Sequence, residues 1–145
     1  MSTHRRAIPL LLAAGSGLIV NVSARGASRY RYNVAYGAGK AALDKMTADM
    51  AQDLSDHDVA VVSIWPNVTR TENLEAGAAA SPGQVHALYG DLDLLETPRY
   101  SGRAVVALAS DPKVMERTGK KFWVAELGGD YGFTDVSGRV HPIPE

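Results

Sequence analysis

The sequence predicts an α/β fold built on a parallel sheet, and three observations point there. Gly17-Leu-Ile-Val-Asn-Val22 and Asp58-Val-Ala-Val-Val-Ser-Ile-Trp65 are short, β-branched apolar runs. Neither shows the strict polar alternation of a half-solvated strand, so both read as strands buried on two faces. Between them, Val34 to Leu54 lacks proline and repeats apolar residues at Leu43, Met46, Met50 and Leu54, a helical period. If the two strands share a sheet, this crossover makes them parallel and the connection right-handed.

Taken in order, Met1 to Gly17 has two readings. Arg5-Arg6 followed by Ala7-Ile-Pro-Leu-Leu-Leu-Ala-Ala14 imitates the charged and apolar regions of a secretory signal. The run is short, holds Pro9 and leads directly into the first strand, which favours the end of a helix. After that strand, Ala24 to Tyr32 is a loop interleaving three arginines with two tyrosines. It reads either as a wall for an aromatic or anionic substrate or as solvated surface. Asn33 is placed to N-cap the helix. Ala35, Ala38, Gly39 and Ala42 give that helix a small-residue face, suited to close packing within the chain or against a second copy. Pro66 ends the second strand. Glu72 to Pro98, rich in Ala, Gly, Asp and Leu and without a clean period, reads as flexible or linking chain. Gly102 to Ala109 is expected to be a helix with its apolar stripe at Val105, Val106, Leu108 and Ala109, stopped by Ser110-Asp-Pro112. Lys121-Phe-Trp-Val-Ala-Glu-Leu127 is expected to be a third strand, with Trp123, Tyr131 and Phe133 as packing residues.

Composition narrows the function classes. The 145 residues carry a net charge of −1 and are 46% hydrophobic, with no block of like charge, so nothing suggests nucleic acid or an anionic membrane as partner. There is no cysteine, hence no disulfide framework or thiolate metal site, which suits a reducing, cytoplasmic setting. His4, His57, His86 and His141 are scattered without metal-ligand spacing and read as surface residues.

The chemistry concentrates at the start of the first long helix. Tyr36 and Lys40, four residues apart, share a helical face. A phenol is a poor proton shuttle at neutral pH, and an ammonium beside it favours the phenolate, so Lys40 is expected to lower the Tyr36 pKa and make it a general acid/base. Ser23, at the C-terminal end of a strand, is where open α/β sheets place their ligands, and its hydroxyl is suited to orienting a carbonyl or alcohol oxygen.

Ser23, Tyr36 and Lys40 at this spacing, the strand Gly17 to Ser23, and the loop Trp65-Pro-Asn-Val-Thr-Arg-Thr71 resemble the C-terminal half of the short-chain dehydrogenase/reductase family. Asn33 to Lys40, Ser63-Ile-Trp-Pro66 and Tyr131 to Arg139 are most similar to one branch of it. The resemblance spans nearly the whole chain. It implies a partial Rossmann-like three-layer sandwich that lacks the N-terminal nucleotide-binding half. Residues 1–145 would be the catalytic half, with 72–98 as a mobile substrate lid. It also implies NAD or NADP as cofactor, a small-molecule alcohol or carbonyl substrate, and pairing of the Tyr36 to Leu54 helix with a second copy. Tyr36 would pass the proton, Ser23 hold the oxygen, and Lys40 bind the nicotinamide ribose. Pro66, Val68 and Thr71 would contact the nicotinamide.

Two departures from the family pattern stand out. Many members have two serines where this chain has Ser23-Ala24; the distance to Tyr36 selects Ser23, whereas alignment by the Asn-Val-Ser core puts Ala24 in the catalytic place. The Gly-rich strand-to-helix turn that cradles a pyrophosphate is also missing, since Gly15-Ser-Gly17 and Gly37-Ala-Gly39 are too short and wrongly placed. An NAD(P)-dependent oxidoreductase is therefore the first expectation, and a non-catalytic remnant or interaction module the alternative.

Overall fold

In the computed structural model, residues 3–144 are described. The chain divides into two compact units, one running to Trp65 and taking in Leu108–Phe122, the other formed by Pro66–Ala107 and the residues from 123 onward.

The first unit holds the sheet. Helix α1 (Thr3–Ala14) leads through a left-handed Gly15 into β1 (Gly17–Val22), and α2 (Val34–Asp53) returns the chain to β2 (Val59–Trp65). β1 and β2 pair in parallel from Gly17 opposite Val59 to Val22 opposite Ile64. β3 (Lys121–Trp123) completes a three-stranded parallel sheet in the order β1-β2-β3. β2 is central and every one of its residues is buried, as the unbroken apolar run requires. Its outer partner is the segment 118–120: Gly119 N–H donates to Val61 O at 2.7 Å, and Val61 N–H donates to the Thr118 hydroxyl at 2.9 Å.

Alternation along β1 decides which residues meet α2. Ile19 joins Ala51, Leu54, Val59 and Val61 in a core, with Ile8, Leu11 and Met50 packed against it. Asn21, two residues on, donates to Thr47 Oγ1 at 2.9 Å. The helix begins as expected, with the Asn33 side chain accepting from Tyr36 N–H at 2.9 Å. Its buried face differs by a fraction of a turn: Thr47, Ala51 and Leu54 are inside, whereas Met46 is 39% exposed. Thr47 is tolerated there because its hydroxyl is doubly engaged, accepting from Asn21 and donating to Leu43 O.

In the second unit the stretch 72–98, expected to be without regular structure, is largely helical. Thr71 caps α3 (Glu72–Ala80), Pro82 opens α4 (Pro82–Tyr89), and a left-handed Gly90 closes it. Helix α5 is longer than the sequence suggested, Pro98–Ser110, and its buried stripe is Tyr100, Ala104 and Leu108. Val106, expected in that stripe, is 66% exposed. The third strand is corrected most. It stops at Trp123, and Val124–Tyr131 forms α6. Glu126 reaches back to accept from Trp123 N–H at 3.3 Å, which satisfies a donor at the helix start, and Val124, Ala125, Leu127 and Gly128 supply a buried face. Gly128 has a packing reason, because any Cβ there would collide with the Tyr100 hydroxyl.

His141 is likewise not a surface residue. It is buried, its Nε2 lies 3.0 Å from Asp135 Oδ2, and its ring packs on Tyr100. Among the described residues no helix is long and apolar enough to cross a membrane, and no cluster of His and acidic side chains could hold a metal.

Candidate active site

In the first unit, β1 and α2 bring Ser23, Tyr36 and Lys40 into one neighbourhood. Ser23 extends the ladder beyond β1, its N–H donating to Ile64 O at 2.9 Å. Its hydroxyl, 2% exposed in residue terms, donates to Lys40 O at 3.0 Å. The Lys40 ammonium donates in turn to Val22 O at 3.1 Å. Strand end and helix are thus laced by two reciprocal bonds, which fix Lys40 on the Tyr36 face of α2. Ala24 follows in extended conformation and is only part-buried.

Tyr36 is held by its ring. A Cβ at Gly26 would strike it, so the 25–27 turn can pass this close only because residue 26 is glycine. On another side the Tyr32 ring meets it edge-on, with centroids 5.0 Å apart, and Arg31 lies 5.3 Å from the Tyr32 centroid. Tyr32 has φ of 60°, a left-handed conformation that is uncommon for a bulky residue and that accumulates at functional sites. The Lys40 ammonium stands 5.8 Å from the Tyr36 ring centroid.

This geometry corrects the expected electrostatics. Burial raises the Tyr36 pKa above its usual value of 10.0, Tyr32 raises it further, and Arg31 is the cation that lowers it. Lys40 is drawn toward the Val22 carbonyl instead. The influence of Tyr32 and Arg31 was missed in the sequence because both lie in an apparently decorative loop. Their adjacency to Tyr36 comes from the turn at Gly26.

In the second unit, Pro66, Val68 and Thr71 lie on the loop between β2 and α3. Asn67 N–H donates to Glu96 Oε2 at 3.0 Å, Glu96 N–H to Val68 O at 3.2 Å, and Arg70 N–H to Glu96 O at 2.8 Å. Thr71 Oγ1 accepts from Leu74 N–H at 3.4 Å. Because that bond uses an oxygen lone pair, the Thr71 hydroxyl keeps its own proton to donate. Glu96, which holds this loop, carried no sequence signal: it belongs to no motif and falls in the region read as flexible.

Neither short Gly pair noted in the sequence forms a pyrophosphate cradle. Gly15 lies in a helix-to-strand turn, whereas Gly37 and Gly39 lie inside α2, so neither place forms the strand-to-helix cradle.

The family model described as short chain dehydrogenase matches residues 1–81. Proteins called dehydrogenase/reductase SDR family member 1 from Mus musculus and Homo sapiens are each 40% identical over 134 residues, covering 90% of this chain and 43% of their own length. The chain therefore spans less than half of these relatives. Among solved structures, an oxidoreductase of the short-chain family from Burkholderia thailandensis superposes with a TM-score of 0.71 at 22% identity, over 84% of this chain and 48% of that one. A short chain dehydrogenase from Shigella flexneri 2a, solved with NADP, gives 0.65 at 28% identity, over 83% and 46%.

Proposed function

The chain belongs to the short-chain dehydrogenase/reductase family, and from that premise we propose that it carries the proton-handling half of an NAD(P)-dependent interconversion of an alcohol and a ketone or aldehyde. The observation that supports this most is the lacing of Ser23 and Lys40 across the end of β1, which presents Lys40 and Tyr36 on one face of α2. When bound, the nicotinamide cofactor supplies the hydride chemistry. Lys40 would hold its ribose, and the Val68 backbone and Thr71 hydroxyl its carboxamide, with Pro66 shaping the turn.

Tyr36 Oη is the proton carrier. In reduction it donates to the substrate oxygen, and in oxidation it accepts from the alcohol. With burial and Tyr32 raising its pKa, Tyr36 rests as the neutral phenol, the form suited to donating. Ser23 orients the substrate oxygen if its hydroxyl turns away from Lys40 O; otherwise the orienting place is position 24, occupied here by alanine.

A steady-state assay of nicotinamide oxidation with a panel of ketones and aldehydes tests this reading. Tyr36→Phe is expected to lower turnover by about 100-fold or more. Ser23→Ala lowers it if Ser23 orients the substrate, and Ala24→Ser raises it if position 24 does. Turnover indifferent to Tyr36→Phe would overturn the proposal.

Ala35, Ala38, Gly39 and Ala42 are all exposed on α2, which supports a second reading: self-association through this helix, as an interaction module. The segment 72–98 is proposed as the substrate lid, now a pair of short helices.

A further inference from the structure

We propose that Glu96 is a positioning residue for the cofactor loop, its ionised carboxyl gripping the Asn67 amide and loosening that grip on protonation. Two of the three links between Glu96 and the 67–70 loop are backbone bonds that any residue at position 96 would make, the N–H to Val68 O and the carbonyl from Arg70 N–H. They join an isolated parallel bridge between Thr69 and Glu96. The third link is the side chain, Asn67 N–H to Glu96 Oε2 at 3.0 Å, and only an acceptor of this length provides it. This carboxyl is kept in a hostile place. Glu96 is 2% exposed, and the charged or titratable groups bearing on it, Asp135 and the Tyr100 phenol, do not compensate its charge. The polar side chains around Asp135 and the loop are engaged elsewhere: the His141 ring with Asp135, the Arg103 guanidinium with the carbonyls of Thr134 and Asp135, and the Arg70 side chain with Glu75 and Asp93.

Burying a carboxyl without a cation is unfavourable, and an apolar side chain would pack there more readily. What the acid adds is hold on one backbone amide, that of Asn67, in the loop that leaves β2. Burial and Asp135 push Glu96 up to about 7, although the Asn67 bond opposes them, so the grip changes within the neutral range. An ionised acceptor binds an N–H roughly twice as strongly as a neutral one, so the loop is tightened above neutrality and relaxed below it.

The inference rests on the proposed role of Val68 and Thr71 toward the nicotinamide, and its test separates the two. In the full-length chain labelled with nitrogen-15, the Asn67 backbone amide shift is followed from about pH 5.5 to 8.5. A single transition near 7 is expected, absent in Glu96→Gln. NADH titrations across the same range should show affinity rising with pH by a few-fold, up to roughly tenfold, in the wild type and flat in Glu96→Gln. If Glu96→Gln does not fold, Glu96→Asp serves instead, since it keeps a titrating acid but is one methylene too short to reach Asn67. An Asn67 amide that does not titrate overturns the latch whatever the cofactor does. A titrating amide with no NADH binding preserves the latch and overturns the assignment of this loop to the nicotinamide.

Discussion

Glu96 and Asp135, both buried in the second unit, respond to pH in opposite directions. Glu96 is raised from 4.5 to about 7, so between those values the folded chain binds more protons than the unfolded one. Stability therefore falls as pH rises through that window, by at most about 3 kcal/mol, and Glu96→Gln should flatten this limb in urea titrations. Asp135 is also subject to a burial penalty that raises its pKa. Hydrogen bonds from Thr97, Val136 and His141 outweigh it and hold the carboxyl below its usual 3.8. Its contribution is present above the ordinary carboxylate range and lost as pH falls below it. Asp135→Ala leaves the Thr97 and Val136 donors without their acceptor, and a loss of about 3 kcal/mol is expected by chemical denaturation. At Tyr36, removing the cation that favours the phenolate should move ionisation higher. Arg31→Ala is expected to delay the alkaline rise in tyrosinate absorbance, as measured against a Tyr36→Phe control.

At the scale of elements, the reading from sequence succeeded where one local signal dominated. β1 begins and ends where its apolar run does, and α2 starts at the Asn33 cap; Asn33→Ala should lower stability by about 1 kcal/mol. It failed where tertiary packing selects among equivalent residues. Periodicity cannot tell that α5 turns Leu108 inward and Val106 outward, because both are aliphatic and two positions apart. Leu108→Ala is expected to lose about 2–5 kcal/mol and Val106→Ala less than about 0.5, a contrast that thermal unfolding resolves. The short β3 was misread because Phe122-Trp-Val-Ala has strand-like composition, while the helix that replaces it depends on Glu126 capturing Trp123 N–H. The buried acid network was invisible for a related reason: Thr97 lies 38 residues before Asp135, and only the fold makes them neighbours.

Over the whole molecule, the residues proposed for catalysis and those proposed for the cofactor belong to different units. The three residues assigned to proton transfer lie on the first unit, and the loop assigned to the nicotinamide on the second. The motifs made these positions legible in advance, although the hydrogen-bond partners of Ser23 and Lys40 were not. The chain spans 43% of the relatives it resembles at 40% identity, and no pyrophosphate cradle occurs among its described residues. The central claim is that these residues still recognise a nicotinamide. Titration of the purified chain with NADH and NADPH, followed by nicotinamide fluorescence and repeated with Lys40→Ala, tests it most directly. Saturable binding that Lys40→Ala weakens is the expected result, and no binding at millimolar cofactor would contradict it.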